Sequence, residues 1–209
     1  MSTPRQRLSP EERRVQIAGA ARSLALEEGL IGLTQRAVAA RAGVTGALVA
    51  HYAESMEHLV AEVFSRIVGA ELEEIRAEHG ADATAEGFEK FVLSLLDGGR
   101  AAVTRVWVDA FSLGRRNEPL AEAVRASSDA WQELLAGFID ARVAAGVFVC
   151  PDASVAAWHL MGLVDGLNSQ SLVSWGDAAA RADLTLPLVR RLVISRVHTR
   201  GLEGPERTP

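Results

Sequence analysis

From Pro10 to Glu28 the apolar residues recur at helical spacing, with Ile17, Ala21, Leu24 and Ala25 on one inner stripe. Ser9-Pro10-Glu11-Glu12 supplies the start: serine at the N-cap, proline at the first helical position and glutamate at the third. The two carboxylates also lie at the positive end of the helix dipole. Gly29 stops the pattern before the link Leu30-Ile31-Gly32-Leu33. The period then shortens. Thr34 can cap a helix in which Val38 and Ala42 share a face, and Gly43 can take the positive φ that ends it. Thr45 caps a second short helix running through Leu48 to Tyr52. Two helices of about two turns, joined by a turn of three or four residues containing glycine, have the shape of a helix-turn-helix. The second helix of that motif enters the DNA major groove.

From Ser55 a longer helix is expected, with Leu59, Val60, Val63, Phe64, Ile67 and Val68 inward and Glu62, Glu71, Glu73 and Glu74 outward. It ends near His79 and Gly80. A helix from about Ala83 to Leu96 turns Phe88, Phe91, Val92 and Leu95 inward, and Asp97-Gly98-Gly99 breaks it. Further helical segments are expected at about 100–113, 118–145, 152–174 and 183–198, separated by Gly114, by Gly146 with Pro151, and by Gly176. No strand-like alternation lasts long enough to build a sheet, so the expected class is all-α. In the last segment Leu186, Val189, Val193 and Val197 recur at helical spacing, with Arg190, Arg191 and Arg196 away from that stripe. Gly162 and Gly166 stand one turn apart inside a helix, where each costs about 1 kcal/mol against alanine unless a close helix contact offsets it. That contact is either within the chain or with a second copy.

Composition narrows the class. The chain has 209 residues, 48% of them apolar, enough for one large core or two small linked units. No window reaches the roughly 18 uninterrupted apolar residues of a membrane span, and Met1 to Arg14 is polar, so a cytoplasmic protein without membrane contact is expected. Cys150 is the only cysteine, which excludes an intrachain disulfide and a cysteine-based zinc cluster. The net charge of -5 is unevenly divided. Residues 1–50 hold seven arginines and four glutamates, a balance of +3, which leaves -8 for the remainder. A basic head on an acidic body can displace phosphate counterions, although surface patterning alone also produces such a split. The arm from Met1 to Leu8 adds Arg5 and Arg7, and is expected to be disordered until an anionic partner orders it. No glycine-rich phosphate loop, metal-spaced histidine pair or nucleophile elbow is found, so neither an enzyme nor a cofactor is expected.

Ala39-Ala40-Arg41-Ala42-Gly43-Val44-Thr45, then His51-Tyr52, then Ser55 and Leu59, resemble the N-terminal domain of TetR-type transcriptional regulators over roughly Pro10 to Phe64. Trp107-Val108-Asp109-Ala110-Phe111 and Leu163-Val164-Asp165-Gly166-Leu167 resemble, more loosely, the effector domain of BetI/AcrR-like members. The resemblance implies a three-helix helix-turn-helix domain at 1–54 and an effector-binding and dimerisation domain at 55–209. It also implies a homodimer through the last two helices, in a four-helix interface. Such a dimer would present two recognition helices roughly 34–36 Å apart to a palindromic operator in double-stranded DNA.

The DNA-facing residues are then expected to be Thr34, Arg36, Arg41, Thr45, Gly46, Ala47, Leu48, Val49, His51 and Tyr52. The family uses positions matching Thr45, His51 and Tyr52 for phosphates, although His51 and Tyr52 could instead pack within the head. Lysine is frequent in the family at position 46, an aromatic at 53 and lysine at 56. Here these are Gly46, Ala53 and Met56. Base reading would fall to thymine-methyl contacts, backbone approach at Gly46, and Arg36 or Arg41 at the groove edge. Trp107, Phe111, Trp131, Phe138, Trp158 and Met161, with the nearby polar residues Asp109, His159, Asp165 and Asn168, are candidates for a cavity taking a mainly apolar small-molecule effector. The same aromatics could be plain core. The function implied is a repressor released by that effector. The alternative is a helical dimeric interaction protein that has lost specific operator binding.

Overall fold

The structure is a computed structural model that describes residues 8–195. Arg5, Arg7, Arg196 and Val197 lie outside the described residues. Nine α-helices are described: α1 Pro10–Glu28, α2 Gln35–Ala42, α3 Gly46–Tyr52, α4 Met56–His79, α5 Ala85–Ser94, α6 Ala101–Leu113, α7 Glu118–Ala144, α8 Ala153–Ser171 and α9 Ala178–Leu192. The chain is therefore all-α, as its periodicity predicts. Two two-residue strands, β1 Phe148–Val149 and β2 Ile194–Ser195, pair antiparallel with Phe148 opposite Ser195.

The caps at Ser9, Thr34, Thr45 and Ser55 form where the sequence places them, and Thr84 and Asp152 add two more. Ser9 Oγ accepts from the Glu12 amide at 3.2 Å, and the Glu12 carboxylate accepts from the Ser9 amide at 2.7 Å. Thr34, Thr45, Ser55 and Thr84 accept from the amides of Ala37, Leu48, His58 and Gly87. Asp152 does the same for α8, accepting from Val155. Each bond satisfies one of the amides that a helix N-terminus leaves without a partner.

The chain divides into two compact units: Met1–Gly69 with Arg105–Ala126, and Ala70–Thr104 with Ser127–Pro209. Helices α4, α6 and α7 contribute residues to both. In the first unit the stripe Ile17, Ala21, Leu24 and Ala25 is buried together with Val38, Ala42, Val49, Leu59, Val63, Phe64 and Ile67. Gln16 Nε2 donates to the Ala42 carbonyl at 2.8 Å, a side-chain bond from α1 to the end of α2. In the second unit Phe91 meets Phe138 edge to face at 5.2 Å, and Phe88 meets Phe148 likewise at 5.3 Å. Both are favoured aromatic geometries.

The same core holds Arg142, only 2% exposed. Its guanidinium donates to the carbonyls of Thr84 at 2.9 Å, Phe138 at 2.8 Å and Asp82, and lies over the Phe88 ring at 5.1 Å. Burial pulls its pKa below the ordinary arginine value, and Asp82 opposes the shift. A buried cation is tolerated when backbone acceptors replace its water in this way. Glu71, expected on the outer face of α4, is instead buried with Arg100 Nη1 at 3.4 Å from its carboxylate. A charged partner 29 residues further on overrides the helical pattern at that position.

The last helix begins at Ala178, five residues earlier than its apolar pattern indicates. Val189 and Val193 are buried within the chain and Leu186 is half-buried, so that stripe is core. A different stripe, Leu184 at 69% and Leu188 at 42%, is exposed.

Candidate nucleic-acid interface

Gly43 adopts φ 64° and ψ 36°, the left-handed conformation that reverses the chain, and its amide bonds back to the end of α2. From Thr45 the recognition helix α3 then runs with one side against the head and the other open. Val49 is fully buried, while Thr45, Ala47, Ala50 and His51 are exposed. Val49, expected to face bases, is therefore a core residue and not a groove contact. The 3.6-residue period places it on the side opposite Ala47. Ala50, absent from the expected set, belongs to the open face, and its signal was its position three residues after Ala47. Gly46 and Leu48 are half-buried beside that face.

Thr34 and Arg36 are exposed at the start of α2. With Gln35, Ala39, Ala40, Val44 and Gly46 they line a shallow groove of about 610 Å³. Gln35 was not among the expected residues. Its Nε2 donates to the Gly46 carbonyl at 2.8 Å and so fixes the first turn of α3 against α2. Arg41, expected at the groove edge, is engaged elsewhere. Its guanidinium forms a two-pronged pair with the Glu27 carboxylate at 2.7 and 2.8 Å and bonds Ser23 at 2.9 Å. The Glu27 carboxyl is held below its ordinary pKa by Arg41 first and Ser23 second. Tyr52 is half-buried, meets His51 edge to face at 5.0 Å, and lies under the Arg14 guanidinium at 5.8 Å. Tyr52 thus packs against α1 while its neighbour His51 stays open.

The expected effector residues are divided between the two compact units. Trp107, Asp109 and Phe111 belong to the first unit. Trp107 stacks with Phe111 at 5.6 Å and meets Phe64 edge to face at 5.0 Å. The Asp109 carboxylate is used within the head, where it accepts from the Ile31 amide at 3.3 Å. The other seven belong to the second unit. Trp131 and Phe138 are buried, and Trp131 Nε1 has no hydrogen-bond partner among the described residues. Asn168 Nδ2 donates to the Leu95 carbonyl at 2.8 Å, and Met161 is half-buried. Trp158, 70% exposed, and His159 lie on the outer face of α8, so within one chain they line no interior cavity. Asp165 lies on that face too. Its residue surface remains exposed, yet the protein around its carboxyl pushes the pKa up to about 6.

Among the described residues no group of three or more histidines, cysteines or carboxylates could hold a metal ion, and no helix is long and apolar enough to cross a membrane.

Comparison with known proteins places these features. Residues 17–63 match the model of the bacterial regulatory proteins of the tetR family, and residues 84–193 match the BetI-type transcriptional repressor C-terminal domain. No curated protein matches the chain. Solved structures with the same fold include a TetR family transcriptional regulator from Agrobacterium tumefaciens, at 20% identity and TM-score 0.72, covering 88% of this chain and 100% of that one. A TetR transcription regulator from Haloarcula marismortui superposes at 16% identity and TM-score 0.74, covering 88% and 99%. A structure from Saccharomonospora viridis, solved in complex with choline, superposes at 20% identity and TM-score 0.74, covering 88% and 98%. Through an N-terminal tetR-family match and a BetI-type C-terminal match that alone spans more than half of its length, this chain belongs to the TetR family of DNA-binding transcriptional regulators, which are not enzymes.

Proposed function

We propose that the chain is a one-component repressor that binds a palindromic operator as a homodimer and releases it when a small molecule occupies the effector domain. The functional division is 1–54 for DNA reading and 55–209 for effector binding and dimerisation, in the cytoplasm. The observation that carries DNA reading is the open face of α3. Gly43 projects a Thr45-capped helix whose Val49 side anchors it and whose outer face offers Thr45, Ala47, Ala50 and His51. This face has methyl groups and few hydrogen-bond donors. It suits thymine methyls, with Thr34, Arg36 and His51 positioned for backbone phosphates.

The homodimer is supported by the α8–α9 surface. Val155, Trp158, Leu184 and Leu188 are exposed, and a Cβ at Gly162 or Gly166 would meet nothing among the described residues within 4 Å. Close packing among the described residues therefore does not account for those two glycines, whereas a second copy laid across α8 would. The choline-bound structure with this fold supports a small-molecule effector, and the buried Trp131 and Phe138 favour one with a substantial apolar part.

Sequencing the promoter fragments that the purified protein retains tests the reading directly. A palindromic consensus bound with steep salt dependence is expected. Tyr52→Ala and Thr45→Ala should each weaken that binding and leave dimerisation intact. A sequence-blind isotherm would instead favour the interaction-protein alternative.

A further inference from the structure

The C-terminal end of α1 is electrostatically awkward. A helix C-terminus carries partial negative charge and unpaired carbonyls, which favour a cation. The last turn of α1 holds Glu27 and Glu28 and no basic residue of its own. The cation comes from α6: Arg105 Nη1 donates to the Glu27 carbonyl at 2.8 Å. One turn further along α6, Asp109 accepts from the Ile31 amide in the turn that follows α1. Between these two contacts sits Gly29, at φ 84°. A Cβ there would lie 2.3 Å from Asp109 Oδ2 and 3.2 Å from Arg105 Cδ, so these two side chains occupy the space that a side chain at position 29 would need.

Glu27 is held at both ends. Its carbonyl is taken by Arg105 of α6, and its carboxylate by Arg41 of α2. A continuous set of bonds therefore runs from α6, through the end of α1, to the first helix of the helix-turn-helix, whose partner α3 is tied on by Gln35. Helix α6 takes its first four residues from the second compact unit and the rest from the first.

We propose that Arg105 and Asp109 are positioning residues for DNA recognition: they grip the end of α1 from α6 and so set the pose of the recognition helix. This rests on the DNA-reading function above.

Operator titration with two pairs of variants in the full-length dimer tests it, alongside amide exchange at residues 29–34 and thermal unfolding. Asp109→Leu and Arg105→Met remove a bond. Asp109→Asn keeps an acceptor and Arg105→Lys keeps a donor. The first pair should bind the operator about tenfold more weakly, the scale of one charge-assisted bond, with faster exchange at Ile31 for Asp109→Leu. The second pair should restore most of the affinity. Wild-type operator affinity in Asp109→Leu and Arg105→Met, despite faster exchange, would overturn the grip while leaving DNA reading intact. Loss of folding in that pair, with folded Asn and Lys variants no closer to wild type in affinity per folded molecule, would reduce both residues to core contacts. A wild-type chain that retains no specific fragment would sink both readings.

Discussion

The helix-turn-helix and the α8–α9 pair treat their apolar residues in opposite ways. In the head, Ile17, Leu24, Val38 and Val49 are covered by the same chain, and the face left open on α3 is made of small or polar side chains. On α8 and α9 the open face includes Val155, Trp158, Leu184 and Leu188, flanking glycines with empty space around them. One region is complete within a single chain. The other leaves a tryptophan 70% exposed, which forfeits much of the burial its ring could gain. The face proposed for nucleic acid and the face proposed for a second copy therefore differ in apolar content, even where both are simply exposed.

The largest effect should come from charging the apolar face. Trp158→Glu combined with Leu188→Glu buries unpaired carboxylates in any interface formed there, and should weaken self-association by about 100-fold or more. Both side chains are exposed in the single chain, so its own unfolding midpoint should hold. Sedimentation velocity that shows an unaltered dimer would break the contrast. A smaller effect is expected in the head, where Gly43 has open space and only its backbone conformation to defend. Gly43→Val should cost about 1–2 kcal/mol, seen as a lower thermal midpoint, and Gly43→Asn distinctly less. Equal losses would point to packing, not φ, at the turn.

The smallest effect concerns Asp165, whose carboxyl is raised from 3.8 to about 6 by burial. Between those values the folded chain keeps a proton that the unfolded chain has released, so stability falls as pH rises through the window. Above it the folded state carries the full penalty of an ionised Asp165. Asp165→Asn should therefore raise the thermal midpoint near about pH 7.5 and leave it unchanged near about pH 3.5. An increase of equal size at both values would remove burial as the cause.

Much of this was legible in the chain. Ser9, Thr34, Thr45 and Ser55 cap the helices they precede, and the stripes read as inward on α1, α2, α4 and α5 are buried, because capping and periodicity act over a few residues. What escaped depends on distance along the chain. The burial of Glu71 follows from Arg100, the engagement of Arg41 from Glu27, and the use of Asp109 from Ile31, 78 residues away. The β1–β2 pairing joins residues 45 or more positions apart through backbone groups that no side-chain pattern encodes. Val49 was a different kind of miss. Its burial follows from the period of a seven-residue helix, where one apolar face is too short to declare which side is inward.

Two amides assemble the reading head, Gln16 on the carbonyl of Ala42 and Gln35 on that of Gly46, and both take backbone oxygens as acceptors. The frame is thus indifferent to which side chain is carried at position 46. Its glycine has no left-handed φ to protect, and an added Cβ would meet Gln35 Nε2 at 3.4 Å, an ordinary contact. A lysine could enter there without refolding the motif, so the side chain at position 46 can change while the two glutamine bonds hold the frame in place.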